Sequence, residues 1–426
     1  MINRSFFSLT KPNMAYPALK FDREDVVEIP LPSKAQLYVN GSYAAAEGNG
    51  FRVGERVKTG QRIGLSGGGG ESIVSPVTAS ISEISSFTGY MGQTLTVVAF
   101  DVENKDVWDD EFSASKEMPL LKRIERFLGC LPGQADFSSL LGFLPLETIV
   151  IYGIDKDFLI STNRCVVQTR LEDILQGIEV LKKIFGECRM ILLVPSGYGL
   201  QAERTGVEVR ALNPAYPELL PKVLMHRLFG KEVPAGSRCE ELGVGFMSAE
   251  AAANLGTAFT GSRIPVHKML TVIKKDGSLV NVRARIGTPV REILNTLKIE
   301  TRSGDRLVLG GPMTGLSVYS EETPVLADTD ALMIQDGRGA ARFSDTHCVN
   351  CGECVRVCPA RIPVNMLIRV LENGMYEEAV ETYDLLSCVE CGLCSFVCIA
   401  RIPIFHYVML GKYEYDRMKT AEGSNG

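Results

Sequence analysis

The chain lacks any apolar run approaching the ~20 residues that a membrane-spanning helix needs. It also lacks an excess of positive charge. Its 45 Lys and Arg stand against 51 Asp and Glu, a formal net charge of −6, and no basic patch is interleaved with aromatics, which argues against a nucleic-acid surface. The first residues, MINRSFFSLTKPNMAYPALKF, have neither the continuous apolar core nor the cleavage site of a signal peptide. The expectation is a cytoplasmic protein that reaches any membrane by docking on other subunits. No Ser-His-Asp arrangement and no pair of carboxylates stands out as a catalytic centre. Hydrophobic content of 45% and charged content of 23% are ordinary for a soluble globular protein, and 426 residues leave room for roughly two to four domains.

Cysteine, by contrast, is concentrated. Eight of the twelve cysteines fall in one stretch near the C-terminus. Cys348, Cys351, Cys354 and Cys358, followed by Pro359, read C-x2-C-x2-C-x3-C. Cys388, Cys391, Cys394 and Cys398, followed by Ile399, repeat the pattern. This is the run used for bacterial [4Fe–4S] clusters, in which the fourth Cys of each run ligates the other cluster. One cluster is therefore expected on Cys348, Cys351, Cys354 and Cys398, and the other on Cys388, Cys391, Cys394 and Cys358. Three closely spaced thiolates wrap three corners of a cubane and a fourth from elsewhere closes it. Gly352 and Gly392 lie where the backbone must turn tightly beside inorganic sulfide. Zinc sites usually pair two C-x2-C units across a longer gap, and disulfides need an oxidising compartment, so both fit less well. Ile399 in place of a second proline changes no ligand.

Between the runs, Pro363 to Leu371 predicts a helix ending at Asn373-Gly374, and Glu377 to Leu386 a second. Ala400-Arg401-Ile402-Pro403 echoes Ala360-Arg361-Ile362-Pro363, so the stretch 341–412 is an internal duplication and predicts a helical dicluster ferredoxin domain. His347 and His406 flank the runs and can tune a cluster or face a partner; a solvated or packed imidazole is the plainer reading. His226 and His267 have no ligand pattern around them. Cys130, Cys165, Cys188 and Cys239 are scattered singly and read as buried, reduced thiols.

Residues 1–25 read as an extended lead-in. From 26 to 110 the chain is rich in Gly, Ser, Thr and Val, with short apolar runs between turn signals, an all-β pattern. Val53 to Gly64 and Ser75 to Ile81 resemble the hammerhead strands of biotinyl- and lipoyl-type barrel-sandwich domains. No lysine lies between Gly64 and Pro76, so no swinging arm is expected. Gly67-Gly68-Gly69-Gly70 lacks the G-K-[ST] ending of a phosphate loop and reads as a hairpin tip. Glu111 to Met118 reads as a polar linker.

Residues 119–260 alternate strand-like segments (Thr148 to Tyr152, Met190 to Val194, Val207 to Leu212) with helix-like ones (Leu171 to Phe185, Leu219 to Phe229). That alternation predicts an α/β domain. In 263–335, Lys268 to Lys274 and Val280 to Ile286 frame the hairpin signal Asp276-Gly277-Ser278. A short helix from Pro289, then a strand and the turn Gly310-Gly311-Pro312-Met313-Thr314-Gly315, suit a β-grasp module. The fold class expected is thus multidomain, α+β and α/β.

The order of parts, with the two Cys runs, Gly310 to Gly315, Ile286-Gly287-Thr288-Pro289-Val290 and Phe229 to Gly236, resembles the RnfC family, peripheral subunits of the Rnf electron transport complex. The 263–335 module then resembles a soluble-ligand-binding β-grasp unit. The resemblance implies an electron-transfer subunit that is peripheral on the inner face of the cell membrane, docked on membrane subunits. It would exchange single electrons with a ferredoxin or a cytochrome. In the family a Gly-Gly-Ala-Gly-Phe-Pro-Thr loop serves bound FMN and NADH. Here the comparable stretch, Phe127 to Phe137, has lost the glycine cluster. An Asn-Gly-Ala-Glu-Cys-Glu-Pro segment has become Tyr152 to Phe158, and a Gly-Gly-Glu-Lys has become Tyr216 to Lys222. No FMN or NADH residue is carried over and FMN is not expected. The alternatives are an FMN-dependent NADH or ferredoxin oxidoreductase subunit, a cobalamin-reductase-like protein of similar architecture, and a docking subunit whose clusters are secondary.

Overall fold

The computed structural model describes residues 14, 16, 26–40, 52–64, 72–198, 207–340, 343–344 and 346–424. The glycine run Gly67–Gly70 and most of the lead-in 1–25 lie outside these. The described chain begins with a short strand, β1 (Val26–Glu28), followed by β2 (Lys34–Asn40), β3 (Arg56–Val57), β4 (Arg62–Gly64), β5 (Ser72–Val74), β6 (Ala79–Thr88) and β7 (Thr94–Val102). An antiparallel sheet runs β2-β7-β6-β3, with β4 and β5 paired beside it. Alternation sets its core: Ala35 opposes Phe100 and Leu37 opposes Val98 across β2 and β7, and these side chains bury with Val57, Val77, Ala79 and Ile81. The stretch read as a linker begins instead with a helical turn, Glu111–Ala114, because Phe112 is buried.

The next strands are β8 (Thr148–Tyr152), β9 (Arg189–Pro195), β10 (Glu208–Leu212) and β11 (Val244–Ser248). They form a wholly parallel sheet in the order β10-β9-β8-β11. Both faces are covered, as parallel sheets require. Ile149 and Ile151 join the core under the helices Leu171–Phe185 and Ala249–Gly261. Val150 and Tyr152 face Leu219, Leu224 and Met225. The two helices on the first face touch backbone to backbone. A Cβ on Gly177 would collide with the Ala252 carbonyl, and one on Gly256 with that of Asp173.

The third sheet adds β12 (His267–Ile273), β13 (Leu279–Arg285), β14 (Arg306–Leu309), β15 (Leu316–Val318) and β16 (Ala331–Gln335), in the order β1-β13-β12-β16-β14-β15. Here the expectation that Val26 starts the first β unit is corrected. Val26 to Glu28 pair in parallel with Asn281 to Arg283 of β13. A strand of three residues carries too little periodicity to declare which sheet it joins. The β12–β13 hairpin turns as its sequence asks, with Asp276 Oδ1 accepting the Ser278 N–H at 2.9 Å and Gly277 at φ 81°.

A buried charge network joins this sheet to the parallel one. Lys268, 0% exposed, donates to Glu250 at 2.5 Å, to Asp330 at 3.1 Å and to the Met269 carbonyl at 2.6 Å. Glu250 also accepts the Met269 N–H at 2.6 Å. Every charge is met, so desolvation is offset by direct partners. Beside it, Ser161 and Thr162 bond to Thr271 and Asn281.

The C-terminal region is helical: Glu353–Val357, Val364–Glu372, Tyr376–Glu381, Leu393–Val397 and Ile404–Ser424. Among the described residues, no helix is long and apolar enough to cross a membrane.

Gly177→Ala places a methyl against the Ala252 carbonyl and should destabilise the parallel-sheet unit by about 1–3 kcal/mol. Gly261→Ala, where a Cβ meets nothing within 4 Å, should not; urea denaturation compares the two. His267 supplies a pH test. Burial first, then Arg283 and Arg285, push its imidazole down to about 3. A base with a depressed native value contributes stability above its unfolded value of ~6.5, and that stability is lost as pH falls toward the native value. Stability should therefore drop between pH ~6.5 and ~3, and His267→Gln should flatten that slope in acid-titration melts.

Candidate metal centre

The eight clustered cysteines are set by two copies of one backbone path, forty positions apart (388 − 348 = 40). Asn350 and Glu390 have φ of 54° and 58°, Gly352 and Gly392 of 76° and 68°, and Arg361 and Arg401 of 56° and 58°. Each run enters a five-residue helix, Glu353–Val357 or Leu393–Val397, directly after its glycine. The hydrogen bonds repeat too. Arg361 N–H donates to the Cys358 carbonyl at 3.2 Å, and Arg401 N–H to that of Cys398 at 3.1 Å. Left-handed non-glycine residues at matching places in both copies are held by the surroundings rather than by their own preference.

One small cavity, partly open to solvent, is lined by Cys358, Cys388, Cys391 and Cys394. Its other walls include Ile362, Leu367, Phe405 and Val408, so the thiols converge in an apolar setting. Cys358 arrives from the first run and the other three from the second. Of the remaining four, Cys354 is buried, Cys348 and Cys398 are half-buried and Cys351 is exposed. Cys348 and Cys351 lie close enough to Cys354 for their charges to hold its thiol up.

Among the described residues, no three His, Cys, Asp or Glu side chains converge tightly enough to hold a single metal ion. A cubane is closed by four separated thiolates rather than by a single-ion site, and four thiols drawn from the two runs border one cavity. Burial, the leading cause in both, pushes the Cys354 and Cys391 thiols up to about 12. Backbone N–H groups already point at sulfur: Glu390 N–H donates to Cys388 Sγ and Ile402 N–H to Cys398 Sγ, each at 3.4 Å. Lys412 adds a positive charge beside the second run, donating to the Cys388 carbonyl at 2.8 Å and to Glu390 at 2.6 Å. The donor set and the N–H···S bonds fit an iron–sulfur cluster.

The second run also leans on the rest of the molecule. The Tyr216 hydroxyl donates to the Cys391 carbonyl at 2.6 Å. Asp157, 4% exposed, accepts the N–H groups of Met313 at 3.1 Å and Thr314 at 2.9 Å, and the Thr314 hydroxyl at 2.9 Å. Burial raises the Asp157 carboxyl and these bonds oppose the rise. In the sequence, Asp157 and Tyr216 read only as remnants of degraded segments. Their one signal is the Gly310–Gly315 turn, where a Cβ on Gly311 would collide with the Asp157 carboxylate.

Other expected positions fall elsewhere. His406 packs edge-on against Phe343 and Phe405, with ring centroids 5.8 and 5.9 Å away. Cys165, Cys188 and Cys239 are buried, but Cys130 is exposed, which corrects the reading of all four as buried. The stretch Phe127 to Phe137 folds into a turn in which several backbone donors are engaged. Gly133 N–H bonds to Ala327 O at 2.6 Å, Gln134 N–H to Leu131 O at 2.8 Å, and Phe137 and Ser138 N–H to Gly129 O at 2.8 and 3.0 Å. Its carbonyls accept from Ser248 Oγ at Gly133 and Asn254 Nδ2 at Pro132, at 2.8 and 2.9 Å, against the start of the helix Ala249–Gly261.

A 4Fe-4S dicluster domain is present: residues 340–399 match the family of that description. Over 385 residues the chain is 25% identical to the C subunit of the ion-translocating oxidoreductase complex of Pectobacterium carotovorum subsp. carotovorum (strain PC1), covering 84% of this chain and 51% of that protein. The chain thus spans about half the length of that curated relative. Among solved structures, it is similar to a chain of the NAD+-reducing [NiFe]-hydrogenase in the air-oxidized state. The TM-score is 0.45 at 14% identity, over 72% of this chain and 66% of the other. The H2-reduced form gives the same score and identity, over 72% and 68%.

Proposed function

We propose that the chain is an electron-transfer subunit of an Rnf-like, membrane-associated oxidoreductase complex, relaying single electrons through two [4Fe–4S] clusters. One cluster would be held by Cys348, Cys351, Cys354 and Cys398, and the other by Cys388, Cys391, Cys394 and Cys358. The observation that carries the reading is the cavity that gathers Cys358 with Cys388, Cys391 and Cys394. It is what crossed ligation of two duplicated runs asks for. The dicluster match and the likeness to a subunit of an ion-translocating oxidoreductase support it.

When bound, the clusters supply one-electron chemistry, and the protein supplies position and electrostatics. Apolar walls and the buried Cys391 limit the water around the second seat. The Glu390 and Ile402 N–H groups and the Lys412 ammonium favour added negative charge on the sulfurs they face. The partners in this reading are membrane subunits of the complex and a ferredoxin or cytochrome, with the chain peripheral on the cytoplasmic face. The β unit of 26–110, less β1, corresponds to a barrel-sandwich domain. The 119–260 unit corresponds to a degenerate α/β domain, and 263–335 to a β-grasp module.

FMN is not part of the reading. In the Phe127–Phe137 turn the N–H groups of Leu131, Gly133, Gln134 and Phe137 are already bonded to carbonyls, and Pro132 has none to offer a phosphate. A hydride carries two electrons and a [4Fe–4S] cluster takes one, so NADH oxidation requires a flavin to divide the pair.

Anaerobically reconstituted chain should hold about eight irons and eight sulfides; two zincs without sulfide would sink the proposal. Cys398→Ser should damage the cluster of Cys348, Cys351 and Cys354, and spectroscopy that finds only the other cluster altered would refute the crossed scheme. In a separate assay, cluster-replete chain given NADH and an artificial acceptor should reduce it no faster with added FMN. Rapid FMN-dependent reduction would favour the flavin oxidoreductase reading.

A further inference from the structure

The two cysteine runs share a backbone but not their surroundings. At Gly352 a Cβ would meet nothing within 4 Å, whereas at Gly392 it would collide with the Met313 carbonyl oxygen. Cys351 is exposed and its counterpart Cys391 is buried. The Tyr216 hydroxyl reaches the Cys391 carbonyl at 2.6 Å. Tyr216 is itself 5% exposed. It packs with Val357, Leu393 and Val397, its ring centroid 5.0 Å from that of Phe158. Met313 is fixed from behind by Asp157. Three separated parts of the chain, at 157, 216 and 313, therefore converge on the Cys391–Gly392 peptide.

We infer that Tyr216 is a positioning residue for Cys391. With Met313 and Asp157 it seats Cys391 inward, away from water, while its counterpart Cys351 faces outward. The inference rests on the two-cluster reading above. Its physical basis is that a hydroxyl bonded to a ligand's own carbonyl restrains the backbone carrying that ligand. Solvent access and nearby hydrogen bonds then set a cluster's redox properties. Two runs of the same spacing thereby become two unequal seats, one open to a partner in solution at Cys351 and one held against the body of the protein at Cys391.

The test uses reconstituted full-length chain. Cys351→Ser and Cys391→Ser assign the EPR signals of the reduced protein to the two clusters. Tyr216→Phe keeps the ring and removes only the hydroxyl. It should shift the g-values and midpoint potential of the Cys391-assigned signal, leave the other unchanged, and speed chelator-driven iron loss from that seat about fivefold. Gly392→Ala and Gly352→Ala strain the same left-handed backbone, so their difference isolates the Met313 contact. Gly392→Ala should disturb its own cluster far more than Gly352→Ala disturbs the first. Iron-replete Tyr216→Phe with both signals unshifted, or equal responses from the two glycine variants, would overturn the inference while leaving the clusters in place. Parent chain that takes up no iron would overturn the two-cluster reading and this inference with it.

Discussion

The Asp157 carboxylate is the point on which the arrangement of the parts turns. It lies just after the parallel strand β8, yet it binds the Met313 and Thr314 N–H groups in the turn that follows β14 of another sheet. That turn in turn meets Gly392 in the cysteine region. A buried carboxylate is costly unless its oxygens are satisfied, and here they accept from Phe158, Met313 and Thr314. Asp157 therefore fixes where one unit lies against two others. The buried Lys268–Glu250–Asp330 network fixes the same two sheets at a second place. Two such anchors leave little freedom for the sheets to rotate against each other, so the cysteine region meets a rigid platform.

The cysteine region was legible in the sequence because its information is local and repeated. Ligand spacing, the glycine between the second and third Cys, and the A-R-I-P echo each recur at forty residues, and the backbone angles recur with them. The parallel strands Thr148–Tyr152 and Arg189–Pro195 were legible for a related reason: strands covered on both faces are short, continuous apolar runs. The helix Ala249–Gly261 was not. It is buried on nearly every side, so it has no polar stripe to announce a helical period, and its alanines and glycines serve close packing against Leu171–Phe185. Asp157 and Tyr216 were illegible as well, because what defines them is a partner more than 150 residues away.

The degraded segments acquire a meaning that pattern comparison alone withholds. The turn at Phe127–Phe137 carries Gly129 and Gly133, and Gly133 lies against Ser248, Glu250 and Ala251 at the start of a buried helix. A helix N-terminus attracts phosphate because its first N–H groups lack partners. Here Ser248 Oγ takes the Ala251 N–H at 3.0 Å, and its hydroxyl hydrogen goes to the Gly133 carbonyl. Glu250 on the same turn adds a negative charge committed to Lys268. Both features work against an anion. Tyr152 to Phe158 likewise holds Asp155, bonded to Asn163 at 2.7 Å, and Asp157, bonded across to Met313. In both segments these residues hold separate parts of the chain together.

Duplication followed by unequal burial gives a simple route to direction in a relay. Two equal clusters exchange electrons without preference, and a sequence repeat by itself supplies only equality. Inequality has to come from what each copy touches. The first copy presents Cys351 and Val349 outward. The second presents Cys391 to Tyr216 and Gly392 to Met313, with Lys412 behind Cys388. Hydrogen bonds, a nearby cation and exclusion of water each act on cluster potential, and all three differ between the copies. The rest of the chain thus contributes to the proposed relay as a scaffold that makes one half of a symmetric module different from the other, and it does so in part through residues as distant in sequence as Asp157 and Tyr216.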